Sequence, residues 1–177
     1  LRQTNHLHHK ERAETVKAST HILRIGIYGD GEMVREVYEN ELNKILELYL
    51  HLHEETIPEM TEHLKMTWRA IMQDKNHHII VNEVDGKIVS SCVCVIIPNL
   101  TRNIRPYAFI ENVVTHSDYR GKGYATECLN YAKQIAENTN CYKMMLLTGS
   151  KKKETLNFYG NAGYNSTDKT AFIRWIE

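Results

Sequence analysis

The chain has 177 residues, 42% of them hydrophobic, and its 22 basic side chains balance 22 acidic ones, so the formal charge is zero with the ten histidines neutral. That is the composition of one ordinary water-soluble domain, which at this size buries about two thirds of its unfolded surface without a disulfide or metal staple. The chain has no basic footprint for nucleic acid, no apolar run near the roughly 20 residues of a membrane span and no leader pattern, so a small-molecule partner and a cytoplasmic setting are expected.

Residues 1 to 32, polar and carrying His6, His8 and His9, read as an extension, flexible or forming an added strand over Ile22 to Tyr28. The Gly29-Asp30-Gly31 break closes that strand, and the core domain is placed at 33–177. Met33 to Tyr38 predicts a short strand, after which Asn40 caps a helix with Leu42, Ile45, Leu46, Tyr49 and Leu52 at helical spacing. Pro58 interrupts, and a second helix carries Leu64, Trp68, Ile71 and Met72. Two β-rich runs, His78 to Val84 and Lys87 to Ile97, flank Asp85-Gly86, a strong hairpin signal; the second run is apolar on both faces and so central. A strand from Tyr107 to Thr115 follows a loop, and Ala125, Cys128, Leu129, Ala132, Ile135 and Ala136 mark a helix lying flat on the sheet. Tyr142 to Thr148 predicts a buried strand, Lys152 to Asn161 a helix closed by Gly163, and two short strands finish the chain, the last at Ala171 to Ile176. Cys92, Cys94, Cys128 and Cys141 sit in apolar segments without C-x-x-C spacing and are expected as reduced core thiols, with no metal site.

The chemistry concentrates between the strand ending at Thr115 and the regular helix. There Arg120-Gly121-Lys122-Gly123-Tyr124-Ala125 places two glycines at a helix start, where a bare backbone and the unpaired first-turn amides suit a pyrophosphate. Arg120 and Lys122 add charge there or are solvated surface, and the glycines alone equally suit a simple turn. No G-x-x-x-x-G-K-[ST] is present, and Thr126 in the third position spoils a dinucleotide fingerprint.

Arg120-x-x-Gly123-x-Ala125 resembles the R/Q-x-x-G-x-G/A signature of the GNAT superfamily of N-acetyltransferases, and Phe158-Tyr159-x-x-x-Gly163-Tyr164 resembles that family's F-Y-x-x-x-G-[FY] segment. The order of elements agrees over 33–177. The resemblance implies an α/β (α+β) fold: a central twisted mixed sheet of six to seven strands flanked by about four helices. It implies acetyl-CoA as cosubstrate. Asn112, Val113, Val114 and Thr115 would pair their backbone with its pantetheine arm, and Arg120, Gly121, Lys122, Gly123, Tyr124 and Ala125 would cradle its pyrophosphate. Tyr159 matches the general acid, a phenol of pKa about 10 able to protonate a departing thiolate whose acid has a pKa of about 8.5. Glu111, a mid-strand carboxylate, is the candidate base for a protonated amine, or else lines the cleft without moving a proton. Lys152 stands where many members carry a cofactor-touching Asn, with Ser150 and Asn157 as possible substitutes, and Lys151-Lys152-Lys153 either meets the adenosine 3′-phosphate or is a solvated helix start.

The acceptor side gives mixed signals. His51, His53, Glu54, Glu55 and Glu59 suit a cationic amine, Arg102 and Arg105 suit a phosphate or carboxylate, and ordinary surface charge fits each. The leading expectation is acetyl transfer to a small amine by direct attack in a ternary complex. A protein or peptide amine is the alternative acceptor, and an acyl-CoA sensor without turnover the alternative class. A homodimer through the C-terminal strand, anchored by Phe172 and Trp175, is an open expectation.

Overall fold

The computed structural model describes residues 26–28 (backbone only), 32–52 and 54–176; the histidines of the extension and His53 lie outside these. The strongest local signal forms as read. Asp85 and Gly86 both take positive φ, 51° and 79°, the conformation a two-residue turn needs to match strand twist, and they join β3 (His77–Val84) to β4 (Lys87–Ile97). Around this hairpin a six-stranded sheet runs β1 (Gly26–Tyr28), β2 (Glu32–Glu36), β3, β4, β5 (Tyr107–Thr115) and β6 (Met144–Leu146). All neighbours are antiparallel except β5 and β6, which are parallel.

Because β3 and β4 are buried on both faces, each face has its own core. Ile79, Val81, Val93 and Val114 pack with Ile45 and Leu48 of α1 (Leu42–Tyr49) and Trp68 of α2 (Glu62–Gln73). On the opposite face Ile80, Cys92, Cys94 and Ile110 pack with Cys128, Leu129, Ala132 and Ile135 of α3 (Tyr124–Asn138), and α4 (Lys153–Asn161) adds Phe158 and Tyr159. The four thiols are unbonded, three of them fully buried, and burial pushes Cys94 and Cys128 up to about 12, which makes them poor nucleophiles. No helix among the described residues is long and apolar enough to cross a membrane.

An ion cluster ties α1 to the sheet. Buried Arg35 on β2 donates to both carboxylate oxygens of Glu41 at 2.7 and 2.8 Å and also to Glu83. Burial alone would raise the Glu41 carboxyl, but the bonds from Arg35 and the Tyr38 N–H outweigh it and hold the group at about 2.

Three expectations are corrected. Asn40 does not cap α1: a 3-10 turn at Glu39–Glu41 precedes the helix, and the Glu41 side chain accepts the Tyr38 N–H at 2.9 Å. The strand expected over Tyr142 to Thr148 shrinks to Met144–Leu146 and is only half-buried, because β5 is its one neighbour. No strand forms after α4 among the described residues; Phe172 and Trp175, 92% and 84% exposed, lie in a segment without a pairing partner.

Candidate active site

Along β5 the register against β4 shifts between Ser91 and Val93, so that Asn112 and Val113 stand opposite Cys92 alone. Asn112 absorbs this bulge with a left-handed φ of 50°, a conformation asparagine tolerates better than most residues. On the other side, β6 pairs with β5 only at Ala108, Phe109 and Ile110. From Glu111 to Thr115 the strand therefore presents a backbone edge that no other strand among the described residues takes up, the arrangement that accepts an extended amide-bearing chain. Glu111 and Asn112 are exposed there, whereas the Val114 side chain is buried among α1 and α2, so only its backbone is available. The Thr115 carbonyl already accepts from Arg120 Nε at 3.2 Å.

Beyond Thr115 the chain makes a 3-10 turn at Ser117–Tyr119 and enters α3 through Gly121 and Gly123, whose φ values of 75° and 94° explain why glycine stands at both. A Cβ built on either meets nothing within 4 Å, so both face open space. Gly123 is the N-cap of α3 and supplies no side chain, leaving the first-turn amides of Tyr124, Ala125 and Thr126 without a capping partner. Glycine-lined space, free amides and the positive end of a 15-residue helix fit a pyrophosphate. The side chains in this stretch are otherwise engaged. Tyr124 is buried with its hydroxyl donating to Glu32 at 3.0 Å, Arg120 also holds the His51 carbonyl at 3.3 Å, and Lys122 Nζ lies 4.9 Å from the Tyr119 ring centre.

Tyr159 is half-buried on α4, its ring 4.9 Å from Phe158 and 6.1 Å from Tyr164. Burial, with Cys92 and then Glu111 nearby, raises its phenol above the ordinary value, so the proton is held at neutral pH. The coupling to Glu111 brings acid and base candidates into one electrostatic neighbourhood. Ser150 Oγ accepts the Lys152 N–H at 3.3 Å at the start of α4; Asn157 and Lys151 to Lys153 are exposed.

Two tyrosines escaped the sequence reading of the site. Tyr49 of α1, legible only as one apolar position in a helical stripe, lies close to the Asn112 side chain at the bulge; burial pushes its phenol up to about 12, with Asn112 opposing. Tyr164 packs edge-on to Tyr159 with its hydroxyl buried and unpartnered, and burial raises its phenol strongly. On the acceptor side, Glu54, Glu55 and Glu59 are exposed in the connection between α1 and α2. Arg105 is spent on the Asn140 and Cys141 carbonyls, while exposed Arg102 opens a run of three left-handed residues, Arg102, Asn103 and Ile104.

A family model described as the acetyltransferase (GNAT) family matches residues 42–164, and the chain belongs to this family of N-acetyltransferases. It is 30% identical over 139 residues to the glucosamine 6-phosphate N-acetyltransferase of Trypanosoma brucei brucei, covering 77% of this chain and 90% of that one. A solved structure from Agrobacterium tumefaciens str. C58, provisionally named an acetyltransferase, is 37% identical and superposes with a TM-score of 0.73, covering 80% of this chain and 99% of the other. At 16% identity, the aminoglycoside N-acetyltransferase AAC(6')-Iy in complex with CoA shares the fold, with a TM-score of 0.68 over 84% of this chain and 99% of its own.

Proposed function

We propose that the chain transfers an acetyl group from acetyl-CoA to the primary amine of a small molecule by direct attack in a ternary complex. The observation that carries this is the pairing of a freed β5 edge with uncapped α3 amides across two open glycines: one suits the amides of a pantetheine arm, the other a pyrophosphate. Asn112 to Thr115 and Arg120 to Ala125 are the donor-binding segments, and they act mainly through backbone.

In this reading the amine nitrogen attacks the thioester carbonyl carbon, the carbon–sulfur bond breaks, and the sulfur takes the Tyr159 hydroxyl proton. Glu111, exposed at the bulge, receives the proton the amine must lose, directly or through water. Tyr49 lies beneath the bulge beside Asn112, and the aromatic packing of Tyr164 fixes the Tyr159 ring. The Trypanosoma relative is named for glucosamine 6-phosphate, which makes an amino-sugar phosphate the first acceptor to try.

The assembly is proposed to be a homodimer. Among the described residues each copy carries both an apolar C-terminal segment without a partner and an outer β6 edge without a neighbouring strand, so two copies would satisfy each other reciprocally. The catalytic reading is tested by thiol release from acetyl-CoA against a panel of amines including glucosamine 6-phosphate. Stabilisation by acetyl-CoA with turnover on one amine supports it. Stabilisation without turnover on any amine favours the sensor reading, and turnover only on peptides favours the protein acceptor.

A further inference from the structure

Beside the glycine-lined cradle, on the α1 face of the sheet, lies a cavity of about 430 Å³ that the donor reading does not use. Its walls are the C-terminal end of α1, the turn between β3 and β4, and the end of β5. Lys44, Lys87, His51 and His116 line it, and Glu47 is the one carboxylate among its described lining residues; Lys44 is already paired with Glu41 behind the wall at 3.2 Å and reaches the Gly86 carbonyl at 3.4 Å. The rings of His51 and His116 meet at a tilt of 46° with centres 4.1 Å apart. Lys87 and Lys122 both approach Tyr119, at 5.4 and 4.9 Å from its ring centre, and Arg120 holds the His51 carbonyl, so the cavity is continuous with the cradle.

The hydrogen bonding at His116 leaves a donor in excess. The Asp118 N–H approaches Nδ1 at 3.3 Å while the Lys87 ammonium approaches Nε2 at 3.1 Å. A neutral imidazole has one lone pair to offer and an imidazolium has none, so in either tautomer a ring N–H is turned towards another donor. The Asp118 carboxylate is 3.8 Å from Nδ1, beyond hydrogen-bond reach, and largely exposed. Burial, with His51 and Lys87 next, holds His116 below the ordinary histidine range, consistent with uncompensated positive charge around it. An acceptor carrying negative charge resolves this arrangement.

We infer that this cavity is a site for a phosphomonoester dianion, gripped by Lys87 and His116, with Lys44, shared with Glu41, at its wall. Three terminal oxygens and a double charge match several convergent donors, and a cavity of this size takes an organic phosphate rather than a bare ion. His116 lies four residues beyond Asn112, past the end of β5, so a phosphate here is on the far side of that strand end from Glu111. Two sources share the chemistry: the 3′-phosphate of CoA, whose pyrophosphate would lie next door, and a free phosphomonoester. The first source rests on the donor reading proposed above.

Isothermal titration of the full chain with CoA and with 3′-dephospho-CoA, in wild type and in Lys87→Met, tests the assignment. The expected result is roughly tenfold tighter binding of CoA than of dephospho-CoA in wild type, the scale of a charge-assisted contact, with the two ligands bound alike in Lys87→Met. Lys87 is exposed, and Lys44→Met provides a second variant with a smaller effect in the same direction, since Lys44 is shared with Glu41. If wild type does not discriminate but inorganic phosphate raises its melting temperature and Lys87→Met abolishes the rise, the free phosphomonoester is the occupant. Absence of both effects overturns the site. So does discrimination that survives Lys87→Met and disappears in Lys152→Met, which would put the 3′-phosphate at the start of α4. If neither CoA form binds while the phosphate effect persists, the donor reading fails and the cavity assignment stands.

Discussion

The sides of the site proposed for donor and acceptor are built from different materials. From Glu111 to Ala125 the groups on offer are mostly backbone: a strand edge released by a bulge, two left-handed glycines and the uncapped amides of α3. The acceptor side offers side chains on connections, Glu54, Glu55 and Glu59 after α1 and the left-handed turn at Arg102 to Ile104 before β5. A backbone site is fixed by the fold and changes little with substitution, whereas side chains on loops can be exchanged without disturbing the sheet. One chain can thus keep a constant donor while its acceptor varies.

The largest effect should come from the group that belongs to neither side. Tyr159→Phe is expected to lower kcat about a hundredfold or more while acetyl-CoA affinity stays within about twofold, because only the departing sulfur uses the hydroxyl proton. Glu111→Gln comes next: a fall in kcat of about tenfold to a hundredfold in steady-state assays marks a base, and an unchanged kcat assigns the proton to water.

The framework beneath the acceptor side has its own test. Arg35→Met takes from Glu41 and Glu83 the buried cation they share, leaving Glu41 only the half-exposed Lys44, and should cost about 3 kcal/mol or more in chemical denaturation. Glu41 has its folded pKa depressed from 4.5 to about 2. Its contribution to stability is therefore complete above pH 4.5 and is lost as pH falls towards 2, which acid melts of wild type and Glu41→Gln should separate. The smallest effects belong to Glu54→Ala, Glu55→Ala and Glu59→Ala. Each is expected to move the acceptor KM by about two- to threefold, the scale of one exposed charge, with no change in acetyl-CoA affinity.

What could be read from the sequence follows the same division. Asp85-Gly86, the helix stripes and Arg120 to Ala125 are short-range patterns in which residue type dictates local backbone, and all three form as read. The bulge at Asn112 was not legible, because it exists only in the register between β5 and β4. Nor was the contact between Tyr49 and Asn112, which joins a helix to a distant strand, and a stripe of apolar positions gives no sign of which one meets a site. The C-terminal run failed in the opposite way. Its residues suit a strand, but pattern cannot supply a neighbour, and Phe172, Ile173, Trp175 and Ile176 are left exposed.

The most direct measurement is a side-by-side titration of acetyl-CoA into wild type and Gly123→Val. Valine at a φ of 94° strains the α3 entry and projects its side chain into the open space assigned to the pyrophosphate. With a backbone-built donor site, wild type binds and the variant, still folded by circular dichroism, loses at least about tenfold in affinity. Equal binding by both proteins, or no binding by wild type, would contradict it.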